Sequence, residues 1–248
     1  MILVLIIAAT ISPAAYFTLG HGGYSSYTFS GYLTIAEQTE YLFWGYEHYR
    51  EESFRQNLFS TGLGRTLFNK VFFRTTLLGY ENNLENFGLV VATRAYYGYN
   101  PWYTLGYFYT IYTQNLATGP KTYWITHLVP EFHYSFQRIK YSPHVSFGLG
   151  YTKNLESNYL LSKATLGLNI LKSLLVEFSG FYGKVYHFID DQKIIVCNRA
   201  DIQKAKFNIT LKYALFSKIS LVGAITRDIF SSYNINYATL GISYQSNK

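Results

Sequence analysis

"KAKFNITLKYALF", residues Lys204 to Phe216, is the stretch on which the reading of the fold turns. Ala205, Phe207, Ile209, Leu211, Tyr213 and Leu215 alternate without a break with Lys206, Asn208, Thr210, Lys212 and Ala214. A period of two puts the two sets on opposite faces of a β-strand, whereas a helix needs a period of about 3.6. "HVSFGLGYT", His144 to Thr152, repeats the pattern with Val145, Phe147, Leu149 and Tyr151 on the apolar face. Each strand therefore has one side in an apolar medium and the other in a polar one.

Twelve segments of this kind follow one another: 38 to 50, 54 to 67, 71 to 82, 87 to 99, 102 to 114, 123 to 138, 143 to 152, 159 to 170, 174 to 186, 203 to 216, 219 to 229 and 235 to 245. Strands of soluble proteins are typically about 5 to 6 residues long, and a tilted strand crossing a bilayer needs about 9 to 11. Most of the twelve meet the second requirement, so the expected medium is lipid. After residue 15 no apolar run is long enough for a transmembrane helix, which leaves strands as the only means of crossing.

Composition points the same way. The 248 residues are only 14% charged, yet they include 26 Tyr and 19 Phe, residues suited to strands and to membrane interfaces. Aromatics gather at strand ends, as in Phe72 with Phe73, Tyr97 with Trp102 and Tyr103, and Tyr123 with Trp124. The net charge of +7 is spread singly along the chain, so nucleic acid is not an expected partner.

Very short connections at 69 to 70, 100 to 101, 139 to 140, 172 to 173 and 217 to 218 alternate with longer ones such as 115 to 122 and 187 to 202. Lys70, Lys140, Lys172 and Lys218 mark the short turns, while Glu51, Glu52, Glu81, Glu85, Glu156, Asp190, Asp191 and Asp201 lie in the other connections. Short turns at one end and longer loops at the other are what a single-chain outer-membrane barrel shows, with both termini on the periplasmic side. The final segment, "NYATLGISYQ", Asn236 to Gln245, resembles the C-terminal strand signal of outer-membrane β-barrel proteins. That resemblance covers about residues 38 to 245 and implies a porin-like class with no particular family and no carried-over site.

The expectation is an all-β, single-chain antiparallel transmembrane barrel of about twelve strands, within a range of ten to fourteen. Residues 1 to 15, "MILVLIIAATISPAA", are expected to be a signal peptide cut after Ala14 or Ala15, although no Lys or Arg precedes the apolar run. Residues 16 to 37 are expected as a periplasmic segment or extra strand material, and 38 to 248 as the barrel. Expected partners are outer-membrane lipids and lipopolysaccharide, the barrel assembly machinery and a small permeant solute, in the outer membrane of a Gram-negative-type bacterium. The one cysteine, Cys197, has no partner for an internal disulfide.

Alternation projects Arg74, Arg94, Lys163, Lys184, Lys206, Lys212 and Arg227 into the lumen, together with His127, His133, His144 and the acids Glu47, Glu131 and Glu177. His127 and His133 lie six residues apart, roughly 20 Å along a strand at about 3.3 Å per residue, too far to share one ion. No metal or other cofactor is expected. A hairpin turning at 139 to 142 would set His144 opposite Gln137 and Gly148 opposite His133. Glu131 is expected to pair with Lys163 across the gap cleared by Gly148 and Gly150, and Glu177 with Lys212.

The excess of lumenal bases over acids favours anions. The expected function is passive passage of small polar or anionic solutes, with no catalytic residues. A structural or adhesive barrel with a closed lumen is the alternative, its candidate loop being His187 to Asp201. A third reading is an enzyme: His144-Val145-Ser146 resembles the His-x-Ser arrangement of outer-membrane phospholipases. Those enzymes carry the pair on the lipid-facing side, whereas parity here points His144 and Ser146 inward, and no matching asparagine is evident.

Overall fold

A computed structural model describes residues 12–22, 27–36, 40–50, 52, 54–67, 71–83, 85–116, 118–154, 157–185 and 202–245. Fourteen strands appear, each hydrogen-bonded antiparallel to its chain neighbours: β1 (Ser12–Gly22), β2 (Tyr27–Ala36), β3 (Glu40–Arg50), β4 (Arg55–Leu67), β5 (Val71–Asn82), β6 (Glu85–Gly98) and β7 (Trp102–Leu116) form the first half. β8 (Gly119–Ser135), β9 (His144–Asn154), β10 (Asn158–Leu171), β11 (Leu174–Val185), β12 (Gln203–Ala214), β13 (Ile219–Phe230) and β14 (Asn234–Gln245) complete it. β1 pairs with β14, with Phe17 opposite Ile242 and Leu19 opposite Leu240, so the sheet closes and leaves no edge.

Among the described residues the strand count is fourteen, above the expected twelve and at the top of the expected range. Every one of the twelve expected segments is a strand, and the two additions, β1 and β2, come from the N-terminal stretch. Glycine and serine interrupt the alternation there, and an even total is kept because both were missed together. β1 begins at Ser12, inside the expected signal peptide, and Ala14 pairs with Gln245 and Thr34. The remainder of that expected peptide, 1 to 11, lies outside the described residues, as do Lys70, Glu51, Glu156, Asp190, Asp191, Cys197 and Asp201.

Burial follows the predicted faces. On β12, Phe207, Ile209, Leu211 and Tyr213 are exposed while Thr210 is buried. Leu19, Leu63, Ile225 and Leu240 are each 63 to 65% exposed, which in water would place large apolar side chains against solvent all round the wall. A continuous outward apolar surface of this kind is the lipid-facing band of a membrane barrel.

Two connections differ from expectation. The stretch 115 to 122 is not a loop: β7 and β8 run on, pairing Asn115 with Pro120 and Leu116 with Gly119. The turn between β8 and β9 is longer than expected, 136 to 143, and bends through Tyr141 (φ 69°) and Ser142 (φ 39°), with the Phe136 amide donating to the Pro143 carbonyl. His144 therefore stands opposite Ser135, His133 opposite Ser146 and Glu131 opposite Gly148. Pro130, which lacks a ladder donor, does not flip the faces: Leu128 pairs with Tyr151 and Glu131 with Gly148 in one unbroken register.

Candidate functional site

The lumen is divided lengthwise into an apolar and a polar side. From β3 to β8 the inward residues include Phe43, Leu58, Leu78, Tyr80, Val90 and Phe108, packed as one cluster with Tyr112, Ile125 and Val129. Leu58, Leu78 and Val90 have no exposure at all, so this half of the interior is filled by its own side chains. Room for them comes from inward glycines: a Cβ at Gly88 would overlap the Tyr80 ring, and one at Gly106 would sit 2.8 Å from Phe108.

The wall from β9 through β14 to β1 and β2 is richer in polar inward residues, with apolar groups buried at its end away from the short turns, Leu161 with Phe181 and Val185, and Phe230 with Ile235 and Tyr237. Along it lies a cavity of about 250 Å³, lined by hydroxyls of Thr18, Thr28, Ser30, Thr165, Thr226 and Thr239. Glu47, Glu131, Lys163, Glu177 and Lys206 bring charge to it, and Tyr16, Tyr96, Trp102 and Tyr237 bring aromatic surface.

Where the two sides meet stands one ion cluster. Glu131 Oε1 receives a bond from Lys163 Nζ at 2.8 Å, and Oε2 receives bonds from Arg94 Nη1 at 3.0 Å and Thr104 Oγ1 at 3.1 Å. The row Glu131, Gly148, Lys163 across β8, β9 and β10 sets up the first contact. Gly148 is needed there, because a Cβ would lie 2.7 Å from Glu131 Cγ. Burying a carboxylate is tolerated because its oxygens are shared among cationic and hydroxyl donors. The Arg94 guanidinium also lies 5.9 Å from the centre of the Phe108 ring, joining the cluster to the apolar side.

Each of the three expected lumenal histidines has its own partner. His127 Nδ1 lies 2.6 Å from Thr152 Oγ1, His133 stacks on Trp102 at 4.9 Å with planes 4° apart, and His144 Nε2 lies 3.5 Å from Glu177 Oε2. His133 also reaches Thr104 Oγ1 at 3.2 Å. His144 fits because its neighbour is Gly167, where any Cβ would overlap the imidazole. Among the described residues no group of three or more His, Cys, Asp or Glu is arranged to hold a metal. Ser146 faces the cavity, not lipid, and makes no hydrogen bond to His133 or His144 among the described residues.

The sequence-derived lumenal set needs two corrections. Arg74, Arg94, His127, Glu131, His133, His144, Lys163, Glu177, Lys206 and Lys212 occupy inward positions of their strands, Arg74 directly opposite Arg94. Lys184 and Arg227 are exposed on the outer face. On β11 the buried positions are Phe181 and Val185, and on β13 they are Thr226, Asp228 and Phe230. Strict alternation from Glu177, or from the outward Leu221 and Ile225, would have found both. The same error hid Asp228, which is buried, accepts a bond from Gln203 Nε2 at 3.0 Å and lies 3.7 Å from Lys206 Nζ.

The expected Glu177–Lys212 pair is also absent. Register sets Glu177 opposite Thr210 and Lys212 opposite Leu175, and Lys212 makes no ion pair among the described residues. Among the described residues, the inward charges that are buried or half-buried are then the bases Arg74, Arg94, Lys163, Lys206 and Lys212 and the acids Glu47, Glu131, Glu177 and Asp228, an excess of one base.

No protein-family model and no curated protein matches the sequence. Solved structures do match in fold. A structure described as the CymD monoaromatic hydrocarbon channel superposes with a TM-score of 0.58 at 7% identity, over 96% of this chain and 88% of that one. The toluene transporter TodX of Pseudomonas putida gives 0.56 at 8% identity, over 96% and 88%. The outer membrane protein Omp33 of Acinetobacter baumannii gives 0.55 at 8% identity, over 96% and 98%. At such identities the likeness concerns the fold alone. The closed sheet, the outward apolar band and these neighbours give the chain the fold of porin-like outer-membrane β-barrels.

Proposed function

We propose that this barrel sits in the outer membrane of a Gram-negative-type bacterium and is a passive channel for small polar solutes, with a weak preference for anions. The observation that carries the reading is the lengthwise division of the lumen. One side is plugged by apolar packing, and the other offers a hydroxyl-lined cavity of about 250 Å³ whose two lysines and three carboxylates nearly balance, while the inward face as a whole carries one more base than acid among the described residues. Threonine and serine hydroxyls both donate and accept, so they replace water around an uncharged polar solute at low cost. A single surplus base gives only a small bias in potential.

Fold neighbours described as channels and porins support the channel reading. The surrounding lipids and lipopolysaccharide, and insertion by the barrel assembly machinery, are part of the same proposal. Swelling of liposomes containing the refolded protein in isotonic solutions of sugars and small organic anions tests it. Swelling with small sugars is expected, somewhat faster with anions than with cations of equal size, and the absence of swelling with every solute would refute it.

A further inference from the structure

We infer that the outer wall carries a specific site for one glycerophospholipid of the leaflet on the short-turn side, its acyl chain in a groove over β6 to β9 and its phosphate on Arg138 and Lys140. The groove holds about 470 Å³ and lies outside the barrel, between Tyr97, Tyr103, Phe132 and Phe147. Its rim is the row Tyr97, Tyr103, Phe132, Phe147, and its floor is the next row inward, Ala95, Leu105 and Pro130, with Leu149 at the far end. The depression exists because Ala95 and Pro130 are short where the adjoining row presents Tyr107, Leu128 and Tyr151. Tyr103 and Phe132 pack on each other at 5.6 Å, so the rim is held open by paired rings.

The occupant is identified by what lies beneath. Phe132 and Phe147 are three residues from the strand ends, about 10 Å above the turn at about 3.3 Å per residue. That turn, 136 to 143, exposes Arg138 and Lys140. Among the described residues, the connections 99 to 101, 136 to 143, 172 to 173 and 215 to 218 carry Arg138, Lys140, Lys172 and Lys218 and no acid. An apolar slot ending over a pair of exposed cations matches one acyl chain attached to an anionic headgroup. Bilayer lipid meets this face at high concentration, so modest complementarity is enough to fill it.

The intact barrel, purified in detergent and incubated with equal amounts of phosphatidylglycerol and phosphatidylethanolamine, is read by native mass spectrometry. One phosphatidylglycerol is expected to stay bound at collision energies that strip all other lipid. Arg138→Gln and Lys140→Gln are each expected to lower its retention relative to phosphatidylethanolamine by about fivefold. Ala95→Phe fills the floor and is expected to abolish retention of both lipids. If that variant loses the heat-modifiable gel migration of a folded barrel, Leu105→Trp fills the same floor from an exposed position. Retention blind to headgroup and unchanged by either kind of variant overturns the inference, as does a second copy of the chain bound in place of lipid.

Discussion

Glu131 on β8 and Lys163 on β10 meet at 2.8 Å across a strand that contributes only Gly148 between them. The contact couples two strands that do not touch each other in the sheet, and Arg94, from β6, adds a third direction of restraint. Closure of the sheet fixes neighbours, while this cluster ties together wall segments two strands apart.

Replacing Glu131 by Gln removes the buried carboxylate that the buried Arg94 and the half-buried Lys163 share, and breaking a buried pair by removing one partner costs about 3 to 5 kcal/mol. Urea unfolding in lipid vesicles is expected to show that loss, whereas the same measurement on Arg227→Gln, on the outer face, is expected to show a change below about 0.5 kcal/mol.

Gly148→Ala tests the spacing itself. The added methyl would meet Glu131 Cγ at 2.7 Å and the Pro130 carbonyl oxygen at 3.1 Å, one of them backbone that cannot swing away. Overpacking of this kind costs about 1 to 3 kcal/mol, measurable as a lowered temperature of the gel-mobility shift between folded and unfolded barrel.

Selectivity separates the two corrected residues from the rest. Lys206→Gln removes an inward base and is expected to move the reversal potential in a salt gradient toward cations, and Asp228→Asn toward anions. Lys184→Gln and Arg227→Gln, both exposed on the outer face, are expected to leave it unchanged.

Leu240 lies at the middle of β14 and is 65% exposed. An arginine at a lipid-facing midplane position costs about 2 to 4 kcal/mol. Leu240→Arg is therefore expected to lower the folded fraction in vesicles, while Thr239→Arg, the inward neighbour, is expected to fold and to reduce solute flux.

The wall was legible in the sequence because alternation is a local property: each of the twelve segments gives its own faces, and Pro130 leaves them undisturbed. β1 and β2 were harder, since Gly20, Gly22 and Gly31 dilute the period and an unbroken apolar run precedes Ser12 in the sequence. Residue partners across strands were partly legible. Glu131 and Lys163 could be matched although the expected register of β8 on β9 was two residues off, because a slip of two keeps both side chains on the lumenal face and within diagonal reach, whereas Glu177 and Lys212 required the register of β11 on β12. The split of the lumen was not legible at all. It depends on which strands become neighbours across a closed interior, and Phe43 and Phe108, which share one cluster, are far apart in the chain.

Single-channel recording on the refolded protein in a planar bilayer tests the central claim, that a polar passage runs beside a plugged half. Discrete conductance steps with a slight anion bias are predicted, reduced when the cavity wall is narrowed by Thr226→Trp and unaltered by Leu240→Phe on the lipid face. Folded barrels that insert into the bilayer and give no steps under any applied voltage would contradict it.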